Sequence, residues 1–349
     1  MKRKCLAVGI ILLFVGTCIT PGIAQNTEKQ SSRGNWLYVG GSGPGNYTSI
    51  QAAVNASTDG DTIFVYHNSS PYHETLIVKT SITLTGENKE STIIDGGGLR
   101  APVVTIYADH VVLSSFTIQN ATLLNPGIFL QANDSIVTDN ILQYNGYCGV
   151  EINFSDRNVI QGNYVLNNGK EGITCTGSAN MITENEVISN NEAGISFSGA
   201  FQTNISYNTV VDHVCGIEFY ELNNNNNVYK NTITLNQIGV EIDLSSKNTV
   251  LRNNFINDTL NAQFKRSLYS EIILKQVSLQ VRNYRVLKNY QPIGRNIWDG
   301  NYWGHSRILP YPIIGRCGYL FTHPILGVDN RIAFDWHPAQ EPYDIPEMS

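Results

Sequence analysis

Charged side chains are scarce in this chain of 349 residues. Asp, Glu, Lys and Arg together make up 15% of it, against roughly 25% in an average soluble domain. Disordered chains combine high charge with few apolar residues, and coiled coils are rich in Glu and Lys, so both classes are excluded. The formal net charge of −6 also excludes nucleic-acid binding through a basic surface.

Cysteine is scarce as well. Two of the six cysteines, Cys5 and Cys18, lie near the start of the chain, and the other four are dispersed over the rest. A disulfide-dense scaffold is short and much richer in cysteine, so this class is excluded. The seven histidines are also scattered, and no His, Cys and Met cluster has the spacing of a metal site. We therefore expect no metal site.

The chain has one long apolar run, Leu6–Ile19. Residues 2–4 before it are basic, and Ala24 after it is a small residue suited to cleavage, which predicts a signal peptide at residues 1–24. The alternative is an uncleaved membrane anchor. No later segment approaches the roughly 20 apolar residues of a transmembrane helix. We expect an extracytoplasmic protein, secreted, at the cell surface or in a periplasm-like space.

Asn-x-Ser/Thr triplets favour the same location, because they are acceptors for N-glycosylation. Eight of them occur, at Asn46, Asn55, Asn68, Asn120, Asn133, Asn153, Asn204 and Asn257. A chain rich in Asn and Thr also generates such triplets by chance.

A repeat of 22–23 residues dominates the middle of the chain. A glycine followed by an apolar residue opens a short strand of alternating polarity at six positions. These glycines are Gly127, Gly149, Gly172, Gly194, Gly216 and Gly239. An Asn-x-apolar triplet recurs with the same period, often with a second Asn five residues later. The triplets begin at Asn140, Asn163, Asn185, Asn208, Asn231 and Asn254.

Three short strands and three turns fit a unit of this length. The repeat therefore predicts an all-β, single-stranded, right-handed parallel β-helix of about 9–10 coils. Stacked Asn side chains should form a ladder of amide hydrogen bonds along the axis. We attribute the repeated glycine to a sharp turn of the chain.

The start of the solenoid has its own signature. Thr48-Ser49-Ile50-Gln51 is a capping box, and it predicts a short helix that covers the first coil. We expect a linker and first strand at residues 25–45 and the β-helix at 46–264. Residues 265–349, which are richer in Pro and Trp, should form a loop-rich C-terminal cap or small module.

These coils resemble the parallel β-helix repeats of the carbohydrate-binding and sugar-hydrolysis family, which includes the NosD-like proteins and shares the pectate-lyase type of fold. Residues 47–54, followed by Gly60-Asp61-Thr62-Ile63, are similar to the usual start of that fold. Asn296–Trp303 resembles the Trp-Asp and Asn-Tyr-Trp signature near the end of archaeal NosD-like proteins. The resemblance implies the fold, but the family ranges from lyases, hydrolases and epimerases to non-catalytic surface proteins.

The outward residues of the Gly-initiated strands supply the first candidate site. They place Glu218 and Glu241 on adjacent coils, with Tyr220 and Asp243 beside them. Stacked carboxylates repel, so one pKa should rise, and such a pair suits a glycosidase or a Ca²⁺ site. Glu218, Glu241 and Asp243 are therefore candidate catalytic residues, and Tyr220 is a candidate for carbohydrate binding. The alternative is a solvated acidic face without a ligand.

Aromatic residues supply the second candidate. Trp298, Tyr302 and Trp303 could stack on sugar rings as a carbohydrate-binding platform. The alternative is that they close the apolar end of the helix, as a terminal cap must.

Catalytic motifs of related enzymes are missing from the sequence. The Gly-His-Gly and Arg-Ile-Lys motifs of polygalacturonases and the Asp-Pro-His-Asp motif of mannuronan epimerases do not occur. Lyases of this fold use an Arg or Lys base, and none occupies an outward position in the six Gly-initiated strands.

The sequence thus favours an exported, monomeric β-helix surface protein that binds or organises polysaccharide or other glycans without catalysis and without a cofactor. A polysaccharide lyase or glycoside hydrolase is the first alternative, with Ca²⁺ in the case of a lyase. The second alternative is a NosD-like accessory protein of an extracytoplasmic metalloenzyme.

Overall fold

The structure is a computed structural model that describes residues 34–267, 296–305, 309–318 and 328–345. Over these residues the chain forms the predicted right-handed parallel β-helix, with about ten turns. The signal peptide predicted at residues 1–24 lies outside the described residues. No helix in the described ranges is long and apolar enough to cross a membrane.

Successive turns contribute strands to three sheets, which we number 1 to 3. Sheet 1 consists of Trp36–Val39, Thr62–Val65, Thr83–Gly86, Val112–Ser114, Ile136–Thr138, Val159–Gln161, Met181–Thr183, Asn204–Ser206, Asn227–Tyr229, Thr249–Leu251 and Ile297–Asp299. Sheet 2 consists of Leu76–Val78, Val104–Ile106, Ile128–Leu130, Val150–Ile152, Ile173–Ser178, Ala193–Phe201, Cys215–Glu221, Ile238–Asp243, Leu260–Ser267, Tyr311–Gly318 and Val328–Asp335. Sheet 3 consists of Tyr72–His73, Ile93–Asp95, Thr117–Gln119, Ile141–Gln143, Tyr164–Leu166, Glu186–Ile188, Thr209–Val211, Thr232–Thr234 and Asn254–Ile256.

Alternation along each strand decides which side chains reach the core. In sheet 2 the first and third residues after a repeat glycine point inward, as predicted, so Ile217 and Phe219 are fully buried. Equivalent residues stack from coil to coil, and the rings of Phe197 and Phe219 lie 5.1 Å apart. The remaining residues of each strand form the outer faces of the three sheets.

The N-terminal helix, Ile50–Ala56, covers the first coil with Ile50, Ala53 and Val54, as predicted. Its N-cap is Ser49, whose side chain accepts a hydrogen bond from the Ala52 N–H. The capping box implied Thr48 as the cap, and this detail is wrong. A short 3-10 helix follows at His67–Ser69.

The contacts of Gln51 explain why Ser49, and not Thr48, is the N-cap. The Gln51 side chain bonds the N–H and C=O of Ile77 at 2.7 and 3.2 Å instead of turning back to the cap. Glu74 replaces it at the helix start by accepting the N–H groups of Ile50 and Gln51 at 2.8 and 2.9 Å. The helix is thereby tied to Leu76–Val78, the first strand of sheet 2, whose free edge it protects.

Beyond residue 264 the sheets continue. Ile297–Asp299 pairs with Thr249–Leu251 in sheet 1, and Tyr311–Gly318 pairs in parallel with Leu260–Ser267 in sheet 2. Val328–Asp335 then closes sheet 2 as an antiparallel strand. The described part of the C-terminal region therefore contains strands as well as loops.

The predicted amide ladder is present and is buried. Each member donates its Nδ2–H to the Oδ1 of the equivalent Asn on the next coil, at 2.9–3.1 Å. The ladder runs through Asn140, Asn163, Asn185, Asn208, Asn231, Asn253 and Asn301. Asn253 follows Asn231 instead of the predicted Asn254, which is the register partner of Thr232 on the strand. The same Oδ1 also accepts the main-chain N–H of the preceding member, so the ladder holds main chain as well as side chains. It ends on the buried carboxylate of Asp335.

A second ladder contains two exceptions to asparagine. It runs through Asn145, Asn168, Asn190, His213, Asn236 and Asp258. Asn190 Nδ2 donates to Nε2 of His213, and Nδ1 of the same ring faces Asn236 Oδ1, each at 3.2 Å. This network requires the neutral imidazole with its proton on Nδ1. Burial lowers the pKa of His213 to about 4, which keeps it neutral.

The repeat glycines have a different role from the one we inferred. None of the six has a positive φ, so no sharp turn requires them. A Cβ on Gly172 would lie 2.5 Å from Val187 Cγ1, 2.6 Å from the main-chain oxygen of Gly194 and 3.0 Å from Asn190 Nδ2. Glycine is needed because the main chain of the next coil, a side chain of sheet 3 and an amide of the second ladder leave no room for a Cβ.

We predict that Asn185→Ala lowers the free energy of unfolding by about 3 kcal/mol. The substitution leaves buried donors and acceptors of two neighbouring coils unpaired, at about 1–3 kcal/mol each. Urea unfolding would measure the loss. The matched control is Asn191→Ala on the surface, which should change stability little, and equal losses in both variants would contradict the account.

We predict that His213 makes stability fall as the pH drops from about 6.5 towards 4. The unfolded imidazole takes up a proton in this window, whereas the folded one resists it because its pKa is lowered to about 4. Thermal unfolding as a function of pH should show a smaller loss in His213→Asn, which restores the amide. An unchanged slope in that variant would remove His213 as the cause.

Candidate functional site

The outer face of sheet 2 brings the predicted site residues together in two rows. The first row contains Ser196, Glu218, Glu241 and Gln263 at one register position. The second contains Tyr220 and Asp243 of the same strands and Lys265, the register partner of Asp243. We call these seven residues the carboxylate face.

Glu241 is the centre of the carboxylate face. Its side chain is 8% exposed, and Lys265 Nζ lies 2.5 Å from its Oε1. Gln263 Nε2 donates to its other carboxylate oxygen. Both oxygens of this buried carboxylate are thus engaged by neighbours on the next coil.

Lys265 is the functional residue that the sequence analysis missed. It lies on Leu260–Ser267, one coil after the last Gly-initiated strand. In this coil Asn261 takes the place of the repeat glycine, opposite Gly239, so the glycine pattern stops too early. The buried Ala262 and the packed Phe264 continue the alternation and are the signal that could have revealed it.

The acidic groups beside Glu241 have raised pKa values. Burial raises the pKa of Glu218. The hydrogen bond from Ser196 works to lower this pKa, and the negative charge of Glu241 works to raise it. Burial likewise raises the pKa of Asp243 to about 6, against the attraction of Lys265. For Lys265, burial works to lower the pKa, but the hydrogen bond and charge of Glu241 outweigh it and raise the pKa. Lys265 therefore stays cationic at neutral pH.

The aromatic candidates divide into exposed and buried residues. Tyr220 is 53% exposed, so its ring is open to a ligand. Trp298 and Trp303 are 5% and 1% exposed, and Trp303 stacks between Phe255 and Tyr311 at 4.5 and 4.2 Å. Their ring faces are occupied by the core, and neither is free for a sugar. Tyr302 between them is half-buried.

The predicted glycosylation sites all lie at least partly at the surface. Asn55, Asn68, Asn120 and Asn257 are exposed, and Asn46, Asn133, Asn153 and Asn204 are half-buried. Glycosylation of these residues stays a prediction.

The described residues provide little for a metal ion. No group of three or more His, Cys, Asp and Glu side chains in the described ranges could hold one. Cys148, Cys175 and Cys215 are buried free thiols, and burial raises the pKa of each. A protonated, buried thiol is a poor metal ligand.

We predict measurable coupling between Lys265 and Glu241. Lys265→Met should lower stability because it leaves Glu241 buried with Gln263 as its partner, and adding Glu241→Gln should recover part of the loss. A double-mutant cycle by urea unfolding should give a coupling of about 1 kcal/mol. The control pair is the more exposed Lys170–Glu192, 3.1 Å apart, whose coupling should be near zero. Equal coupling in both pairs would show that burial of Glu241 has no effect.

Comparison with known proteins supports the assignment of the fold. A family model described as periplasmic copper-binding protein (NosD) matches residues 54–307. Among solved structures, pectate lyase Pel9A is 15% identical with a TM-score of 0.50, over 67% of this chain and 75% of that one. Tailspike protein 2 from Escherichia coli O157:H7 bacteriophage CAB120 is 13% identical with a TM-score of 0.51, over 81% of this chain and 38% of that one.

An alginate lyase from Paenibacillus sp. str. FPU-7 is 15% identical with a TM-score of 0.46, over 62% of this chain and 90% of that one. No curated protein matches the sequence significantly. At these identities the structural likeness shows the fold alone. Because the family model covers more than half of the sequence, the chain belongs to the NosD family of periplasmic copper-binding proteins.

Proposed function

We propose that this protein binds a glycan on the carboxylate face in an extracytoplasmic compartment, and that it does so without catalysis. The observation that carries the proposal is the exposed ring of Tyr220 on the same outer face of sheet 2 as Glu218, Asp243 and Lys265. The ring offers a stacking surface for the C–H face of a sugar. The carboxylates accept hydrogen bonds from hydroxyl groups, and the ammonium group donates them.

The state of the charged groups favours binding over catalysis. Glu241 has both oxygens engaged, so it is a poor nucleophile. Lys265 is protonated at neutral pH because its pKa is raised, so it lacks the free electron pair that a base needs. Glu218 and Asp243 are the other two carboxyl groups of the face, and both can accept hydrogen bonds from the hydroxyl groups of a sugar.

The family and fold supply the context of this proposal. The family description places NosD proteins in the periplasm, in agreement with the predicted signal peptide. Two of the similar structures are lyases named for the polysaccharides pectate and alginate. The first shares the β-helix on which our carboxylate face is built.

One observation favours a lyase or hydrolase as the second candidate. Asp243 has a pKa of about 6, which suits a group that donates a proton near neutral pH. Such an enzyme would use Asp243 with Glu218 and Glu241, and a lyase would add Ca²⁺.

Copper is the group implied by the family description. The described residues do not fit it, because they hold no cluster of metal-binding side chains and their three free thiols are buried and protonated. A role as accessory to an extracytoplasmic metalloenzyme would therefore depend on contacts with that enzyme.

We predict that the purified protein binds at least one polysaccharide on a glycan array. Tyr220→Ala should weaken this binding at least tenfold because the stacking surface is removed. Tyr144→Ala is the matched control, since Tyr144 is 56% exposed elsewhere on the surface. Absence of binding to every neutral and acidic polysaccharide would refute the proposal.

The same preparations distinguish binding from catalysis. Wild type, Glu218→Gln and Glu241→Gln are incubated with uronate polymers and Ca²⁺ and with neutral glycans, and new chain ends are measured. We expect no cleavage by any of them. Cleavage by wild type that is lost in the two variants would establish the enzyme instead.

A further inference from the structure

The outer face of sheet 1 is almost free of charge. Each of its eleven strands turns two side chains outward, and in the described helix Asp299 on the last strand is the one charged residue among them. The others are hydroxyl, amide, aliphatic and aromatic side chains. We call this surface the neutral face.

The solenoid itself does not require a neutral face. Like charges stacked on adjacent strands are unfavourable, and this alone could explain an absence of charge. Yet sheet 2 of the same helix places Glu218 directly opposite Glu241 and compensates with Lys265. The neutral face is therefore a property of sheet 1 and not of the repeat.

Exposed aromatic rings gather at the first end of the neutral face. Trp36 and Tyr38 on the first strand are 59% and 38% exposed. The rings of Trp36 and Tyr38 lie 6.2 Å apart at 25°, and those of Tyr38 and Tyr66 lie 6.1 Å apart at 24°. Phe64 packs edge-on against Tyr66 at 5.1 Å. We call these four residues the aromatic platform.

The next two strands bring hydroxyl groups up to the platform. Thr85, on the third strand, is the register partner of Phe64, and Ser114 follows it on the fourth strand. Ser114 Oγ donates to Thr85 Oγ1 at 3.0 Å, and Thr85 Oγ1 donates in turn to the main-chain oxygen of Gly86 at 3.4 Å. Phe64 and the two hydroxyl groups thus lie side by side without a charged residue between them, whereas Glu87, which pairs with His67, follows directly after the third strand.

From this arrangement we infer that the neutral face is a second binding site, specific for an uncharged glycan chain anchored on the aromatic platform. A pyranose ring presents C–H groups on its faces and hydroxyl groups around its rim, which match the rings and the hydroxyl rows. No outward side chain of the eleven strands is a cation that could pair with a uronate carboxylate. Lys230, whose Nζ lies 5.4 Å from the centroid of the Tyr229 ring, is at the ninth strand, away from the aromatic platform. Two exposed rings, Trp36 and Tyr38, and two half-buried rings, Phe64 and Tyr66, thus form one patch, and apolar patches on a surface mark interaction sites.

The site is independent of the carboxylate face, and substitutions separate the two. Isothermal titration calorimetry at low and high salt would measure the binding of soluble β-glucan and xylan, which are uncharged. Polygalacturonate would serve as the acidic polysaccharide for comparison. Trp36→Ala should weaken binding of an uncharged glycan at least tenfold. Trp336→Ala is the matched control, because Trp336 is 58% exposed on another part of the chain, and it should leave affinity unchanged. Tyr220→Ala should also leave this affinity unchanged, and added salt should have little effect.

Three results would overturn the inference. The first is equal affinity of Trp36→Ala and wild type for every uncharged glycan. The second is salt-sensitive binding of polygalacturonate that depends on Trp36. The third is a wild-type dimer, seen by sedimentation, that becomes a monomer in Trp36→Ala, which would make the face a contact between copies of the chain.

Discussion

Hydrogen bonds between stacked asparagine amides hold each coil of this helix in one register with the next. An amide is suited to the position because it carries a donor and an acceptor, so identical side chains can pair in an unbroken row. In the first ladder the same oxygen also binds main-chain N–H groups, which leaves few buried polar groups of the turn unpaired. A slip by one residue would lose these bonds and reverse the two sides of every strand.

The outer faces follow from this fixed register. Because equivalent positions lie directly above one another, any residue type repeated in the sequence becomes a row on the surface. Rows of charge are costly, and where the chain places Glu218 beside Glu241 it adds Lys265 and Gln263 on the next coil. Rows of uncharged side chains need no such compensation. The fold therefore favours a low overall charge without requiring any one face to be neutral, and the compensated carboxylates are the exception on sheet 2.

Much of the fold and of the carboxylate face could be predicted from the regular part of the repeat. The glycine and asparagine periods gave the coil length, the inward and outward positions and the first ladder, and with them the adjacency of Glu218 and Glu241. The prediction fails where the number of residues between equivalent positions changes. Asn301 pairs with Asn253 across 48 residues instead of 22 or 23, and Asn261 replaces the glycine before Lys265, so neither contribution was foreseen.

Other features depend on packing that no period encodes. Trp303 is buried because Phe255 and Tyr311 enclose it, and the sequence alone left both a stacking platform and a plug of the helix end open. The aromatic platform joins Trp36 and Tyr38 to Phe64 and Tyr66 before the regular repeat begins. The six repeat glycines reflect close contact with the next coil and with sheet 3 as well as with the second ladder, and these contacts exist only once neighbouring coils are in place.

Hydrogen exchange of side-chain amides tests the central role of the ladder most directly. Nuclear magnetic resonance can follow the Nδ2 protons of Asn163, Asn185 and Asn208 in labelled protein. The account predicts that they exchange as slowly as the main-chain amides of the core strands, and far more slowly than those of the exposed Asn191. Exchange at the rate of Asn191 would show that the amides are not held in the ladder and would contradict the account.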